Sequence, residues 1–169
     1  PWGGNPVYCR SKGPSVPASH RLSIAMRLFI ALALPDTLRE RLCGLCSGLP
    51  GARWVAPENL HLTLRFIGEV ERPLANDIAD ALGRIRFPAF DLRISGAGRF
   101  EQRSGGALWA GVEPRKPVAE LASKVERACQ SAGLEPERRA FHPHITVARW
   151  NRRNVEAARD FERRHSDLV

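Results

Sequence analysis

The segment Asn59–Ile67 alternates almost without a break. Leu60, Leu62, Leu64 and Phe66 fall on one parity, and His61, Thr63, Arg65 and Ile67 on the other. A period of two marks a half-buried strand, because successive side chains of a strand point to opposite faces. One face must be covered by a core. The imidazole, hydroxyl and guanidinium must then share the other. A second segment, His144–Trp150, opens with the same spacing: His144-Ile145-Thr146-Val147 beside His61-Leu62-Thr63-Leu64. Two copies of His-x-Thr-aliphatic, each in a strand that precedes a helix, predict two related lobes whose strands line one cleft.

The remaining pattern fills in around these strands. Arg27–Leu34 reads as a strand closed by Pro35, and Asp36 as the N-cap of a helix over Thr37–Gly48. Arg53–Val55 reads as a short strand, and Gly68 is expected to close the first alternating one. Pro73–Arg86 has helical spacing, with Leu74, Ile78, Ala81, Leu82 and Ile85 inward. A second round follows: a strand over Ala89–Gly96 that Gly98–Arg103 continues or turns, a turn at Ser104–Gly106, a strand over Ala107–Val112, and a helix over Pro117–Ala132 closed by Gly133. The strand at His144 and a helix over Asn154–Arg164, capped by Asn154, complete it. This order predicts an α+β fold with antiparallel pairing rather than an alternating parallel sheet. Residues 1–25 carry Pro, Gly and Ser without either period and are expected to be a disordered extension, with a folded domain over 26–169. A closing strand is expected after the last helix. None follows, so the second lobe is expected to lack C-terminal strands.

Composition narrows the partners. With 169 residues, 43% of them apolar, the chain suits one domain or two small lobes sharing a core. The net charge of +8 comes from 26 Lys+Arg against 18 Asp+Glu and favours polyanions: nucleic acid, a nucleotide or an anionic surface. Most of the excess is Arg, whose planar fork matches phosphate oxygens. Cys43 and Cys46 form a C-x-x-C that reads as two ordinary helix residues, with no second cysteine pair to suggest zinc. No apolar run approaches the roughly 20 residues needed to span a bilayer. A cytoplasmic monomer without membrane attachment is the default expectation.

A cleft lined by two His-x-Thr segments suits the opening of a cyclic phosphodiester by water. One group must deprotonate the water and another must protonate the departing ribose oxygen. The attack is in line, so the two groups sit on opposite sides of phosphorus. Two imidazoles with an ordinary pKa near ~6.5 allow one to be neutral and the other cationic at neutral pH. Thr63 and Thr146 can hold the non-bridging oxygens with help from nearby Arg. No metal or cofactor is required. Arg65 shares parity with His61 and Thr63 and is a candidate phosphate contact. Arg149 has the opposite parity to His144, which argues against contact unless a bulge or twist brings it round. His142 reads as structural. Trp54, Trp109 and Phe66 read as core, although an aromatic at the cleft edge would stack a terminal base.

Three segments carry a resemblance: Met26–Ala31 (MRLFIA), Trp54–Gly68 (WVAPENLHLTLRFIG) and Phe141–Arg149 (FHPHITVAR). In this order they resemble the RNA 2',3'-cyclic phosphodiesterase family, once called 2'-5' RNA ligases, within the 2H phosphoesterase superfamily. The resemblance implies two pseudo-symmetric α+β lobes around a central cleft. It also implies opening of a terminal 2',3'-cyclic phosphate on RNA to leave a 2'-phosphate. It assigns His61 as proton donor, His144 as proton acceptor, and Thr63 and Thr146 as phosphate contacts. It favours Arg149 as a further contact, since Arg is common there among relatives. Some relatives also join or split 2'-5' linkages. Alternative readings keep the chemistry but change the substrate to a small cyclic nucleotide, a 2'-5' oligonucleotide or ADP-ribose cyclic phosphate, or drop turnover for nucleotide or RNA binding alone.

Overall fold

The computed structural model describes residues 7–9, 25–46 and 48–168. Its strands are β1 (Val7–Cys9), β2 (Met26–Ala33), β3 (Arg53–Trp54), β4 (His61–Val70), β5 (Arg93–Gln102), β6 (Gly105–Glu113) and β7 (His144–Asn151). Its helices are α1 (Asp36–Gly44), α2 (Arg72–Gly83), α3 (Arg115–Ser131) and α4 (Val155–Arg164). All the strand pairs with a resolved register are antiparallel. Flanking helices on an antiparallel sheet are the α+β class that the element order predicts.

The chain divides into two compact units, with the boundary on β4 falling between Leu62 and Thr63. The first unit holds the strand order β1-β2-β4 with helices α2 and α3. Its buried side chains follow the expected periods. Leu28, Ile30 and Leu32 alternate on β2, Leu64 and Val70 are buried on β4, and Val118, Leu121, Ala122, Val125 and Cys129 recur at helical spacing on α3. Most of residues 1–25 lie outside the described residues. Val7–Cys9 are the exception to the expected disorder, since they pair with Ile30–Leu32 as a strand. That strand has no sequence period, because three residues are too few to show one.

The second unit is a β5-β6-β7 meander, with β3 and the first two residues of β4 along the free side of β7. Arg103 and Ser104 form the tight turn between β5 and β6, so that Gln102 pairs with Gly105. Gly105 has φ +149, and a Cβ there would lie 2.0 Å from the Trp150 carbonyl oxygen, so β6 approaches β7 only because no side chain intervenes. α4 packs across β5, β6 and β7. It buries Ala158 and Phe161, and Phe161 meets Trp54 with ring centroids 5.6 Å apart.

Several boundaries differ from the pattern reading. Asp36 is the first residue of α1 rather than its cap: Pro35 holds that position and no side-chain cap bond forms. The helix ends at Gly44, short of Gly48, because Leu45 already closes it through the Leu42 and Cys43 carbonyls. Gly68 lies inside β4 at φ +90 rather than ending it. β5 begins at Arg93 instead of Ala89 and runs through Gly98 to Gln102, with a register shift between Ile94 and Ala97. Phe66, read as core, is 55% exposed and rests edgewise near Phe29.

Candidate active site

The pairing of β4 with β7 sets the geometry of the two motifs. Leu62 is the partner of Ile145, and both side chains are fully buried. Cross-strand partners share a face, and neighbours along each strand point the other way. His61 on β4 and His144 and Thr146 on β7 therefore lie together on the opposite face, all half-buried. Thr63 follows His61 by two residues on the same strand and so keeps its face. The aliphatic positions anchor the core while the reactive ones stay accessible.

The same register identifies what else lies on that face in the second unit. β6 pairs with β7 so that Gly111 is opposite His144, Trp109 opposite Thr146 and Ala107 opposite Arg149. Gly111, Trp109 and Ala107 have one parity, and β5 adds Phe100 opposite Ala107. The other parity, including Leu108 and Ala110, faces α4: Arg99 is the partner of Leu108, and its guanidinium pairs with Glu162 of α4. α4 thus covers one side of the meander, and the histidines occupy the other.

Arg149 reaches that side through a bulge. Trp109 pairs with Thr146 while Leu108 pairs with Ala148, so β7 spends one extra residue there. An extra residue reverses the parity of everything beyond it. Arg149 would fall opposite His144 on a regular strand. With the bulge it shares the His144 face and is exposed.

Each histidine is held in place. The His61 Nδ1–H donates to the Asn59 carbonyl oxygen at 2.6 Å. This fixes the ring and leaves Nε2 as the nitrogen that exchanges a proton. The residue that supplies the carbonyl ends the 3-10 turn Pro57–Asn59, which delivers the chain into β4. His144 is boxed by aromatics. Phe100 meets it edge-on with ring centroids 4.9 Å apart, and Trp109 lies 6.1 Å away. Trp109 was read as core, yet it is half-buried beside a reactive histidine. Its ring lies against Gly98, where a Cβ would come within 2.2 Å of it. Phe100, 38% exposed, has no strand period that marks it, and only the β5–β6–β7 register brings it to His144.

Arg65 departs from the expectation of a phosphate contact. Its Nε pairs with Glu126 at 2.8 Å, Nη1 with Glu137 at 2.9 Å, and Nη2 donates to the Glu135 carbonyl at 2.8 Å. With every nitrogen engaged and the side chain 10% exposed, it has no fork left to offer a phosphate. The parity was right, but carboxylates from α3 and the following loop reach it first. His142 is exposed ahead of β7. Cys43 and Cys46 are free thiols, and burial beside Cys43 pushes the Cys46 thiol up to about 11, the direction of an unreactive one. Among the described residues no three His, Cys, Asp or Glu side chains converge as a metal site, and no helix is long and apolar enough to cross a membrane.

Comparisons with known proteins agree with this arrangement. The 2'-5' RNA ligase superfamily profile matches residues 35–167. A protein of Archaeoglobus fulgidus named RNA 2',3'-cyclic phosphodiesterase is 34% identical over 145 residues, covering 83% of this chain and 81% of its own. The protein of that name from Escherichia coli is 35% identical over 132 residues, covering 76% and 74%. Crystal structures of E. coli LigT superpose with a TM-score of 0.65 in the apo form and 0.63 in complex with 3'-AMP, at 35% and 33% identity and over 75% of this chain. The apo match covers 73% of the LigT chain and the 3'-AMP match 74%. This chain belongs to the 2'-5' RNA ligase superfamily.

Proposed function

We propose that this protein is a hydrolase that opens 2',3'-cyclic phosphodiester ends of RNA, leaving a 2'-phosphomonoester. The observation that carries the reading is the Leu62–Ile145 pairing, which puts His61, His144 and Thr146 on one accessible face of β4 and β7. The name shared by the Archaeoglobus and Escherichia relatives supplies the substrate class.

In this mechanism the neutral His144 imidazole takes a proton from water as the water oxygen attacks phosphorus. The bond from phosphorus to the ribose 3'-oxygen breaks, and protonated His61 delivers its Nε2 proton to that oxygen. Thr63 and Thr146 donate hydrogen bonds to the non-bridging oxygens, whose charge grows as the fifth bond forms. Arg149 supports the same charge from further along β7. Arg65 has no part in this, because its guanidinium is already bound. The chemistry needs no cofactor, and activity is expected to survive dialysis against EDTA.

The working unit in this reading is a single chain, since both histidines come from one compact unit, and its substrate is met in the cytoplasm. Joining or splitting of 2'-5' linkages would use the same two proton transfers. The test is incubation with RNA ending in a 2',3'-cyclic phosphate, followed by 31P NMR of the product. A 2'-phosphate is expected. Absence of turnover, or a 3'-phosphate product, overturns the assignment. Turnover of cyclic mononucleotides alone would move the substrate to small nucleotides.

A further inference from the structure

Two arginines meet on the face that carries the histidines. β3 pairs with β7 so that Arg53 is the partner of Arg149 and Trp54 the partner of Ala148. Trp54 turns toward Phe161 of α4, so Arg53 and Arg149 point to the other side, and both are exposed. Directly opposite residues of an antiparallel pair have Cβ atoms about 4.5–5.5 Å apart, and like charges at that range are destabilising. Neither guanidinium has a carboxylate partner among the described residues, whereas Arg65, Arg99, Arg139 and Arg159 are all ion-paired. Two such forks side by side suit one anion between them.

Position indicates which anion. The reacting phosphorus belongs beside His61, His144 and Thr146. Arg149 lies three residues past Thr146, which is about 10 Å along the strand. That separation fits a second phosphate better than the one being opened. An RNA end carries such a phosphate in the phosphodiester preceding its terminal nucleotide, and a cyclic mononucleotide lacks it.

We propose that Arg53 is a substrate-binding residue that, with Arg149, grips the phosphodiester preceding the terminal nucleotide and so selects RNA ends over cyclic mononucleotides. The inference rests on the hydrolase reading given above. Sequence pattern does not single out Arg53, since its place on this face follows only from the pairing of β3 with β7.

The experiment compares two ligands that differ by that phosphate. Arg53→Gln and Arg53→Lys are assayed on a cyclic mononucleotide and on a dinucleotide ending in the same 2',3'-cyclic phosphate. In parallel, Kd is measured for a nucleoside 2'-monophosphate and a dinucleotide ending in a 2'-phosphate. Arg53→Gln is expected to raise KM and Kd for the dinucleotide roughly tenfold more than for the mononucleotide. Arg53→Lys should recover part of the loss, because it keeps the charge but not the fork. Arg84→Gln, on the exposed end of α2, should change neither ligand's affinity. Equal losses on both ligands would show that Arg53 acts at the reacting phosphate, and no loss on either would show that it binds no substrate. Either result overturns the proposal. If the unmodified protein turned over neither substrate, the hydrolase reading would fail, and the Kd comparison would still decide the role of Arg53.

Discussion

His61 enters the site with one ring nitrogen already committed, its Nδ1–H held by the Asn59 carbonyl. That commitment gives the donor assignment a measurable consequence. A proton donor must be charged to act, so activity through His61 is lost as pH rises. A base must be neutral, so activity through His144 is lost as pH falls. The pH–rate profile is expected to be a bell. His61→Ala should remove its alkaline limb and His144→Ala its acid limb, each with a loss of about 10²–10⁴-fold in kcat. Exchanged limbs would reverse the two roles. Thr63→Ala and Thr146→Ala remove one hydrogen bond each to growing charge, worth roughly 1.5–3 kcal/mol, and should slow turnover about 10- to 100-fold. Gly98 matters at the same scale. A methyl group there would collide with the Trp109 ring, which lies beside His144. Gly98→Ala should cost about 1–3 kcal/mol in stability and lower kcat more than it raises KM. Unchanged melting temperature and unchanged kcat in that variant would show that Trp109 does not support His144.

At the scale of elements, β7 and the Arg65 cluster carry the weight. The bulge in β7 turns Arg149 onto the His144 face, which a regular strand would not do. Around Arg65, one guanidinium ties β4 to α3 through Glu126 and to the following loop through Glu137. Arg65→Ala should lower stability by about 1–3 kcal/mol, since the carboxylates it leaves are partly solvated. KM for RNA should stay as it was, whereas loss of a substrate contact would raise it. Glu137 adds a pH signature. Side-chain and backbone hydrogen bonds from Arg139 hold its carboxyl at about 2, with the Arg65 charge assisting. An unfolded-chain glutamate titrates near ~4.3, so the stability that Glu137 contributes is complete above that value and drains away as pH falls toward 2. Melting temperature should therefore fall more steeply between pH 5 and 2.5, a range spanning about those two values, in the parent protein than in Glu137→Gln. Parallel curves would mean that the ion pair contributes nothing measurable.

The whole molecule carries +8, and a charge of that sign should act on RNA at long range. Affinity for a cyclic-phosphate-ended oligonucleotide is expected to fall linearly with log salt, by about 0.7 log units per phosphate neutralised on a single strand. A flat titration would point to a small nucleotide as the ligand. At this scale the division between pattern and fold is clear in particular residues. The alternation at Asn59–Ile67 and its echo at His144 were enough to assign His61, Thr63, His144 and Thr146 to strand faces away from the core, because strand parity is local and depends on nothing beyond the strand. Helical spacing likewise marked the buried face of α3, with Val118, Leu121, Val125 and Cys129 at core positions. Parity could not say who waits on the far side of a strand. Arg65 met carboxylates from α3 and its loop, Phe66 met solvent, Arg149 was turned by a one-residue slip against β6, and Arg53 was set beside it by a two-residue strand. Each of these depends on pairing between segments far apart in the chain. The sequence alone determined which faces hold the chemistry. Tertiary pairing decided which arginines remain available to it, because a guanidinium binds whichever anion the fold brings within reach first.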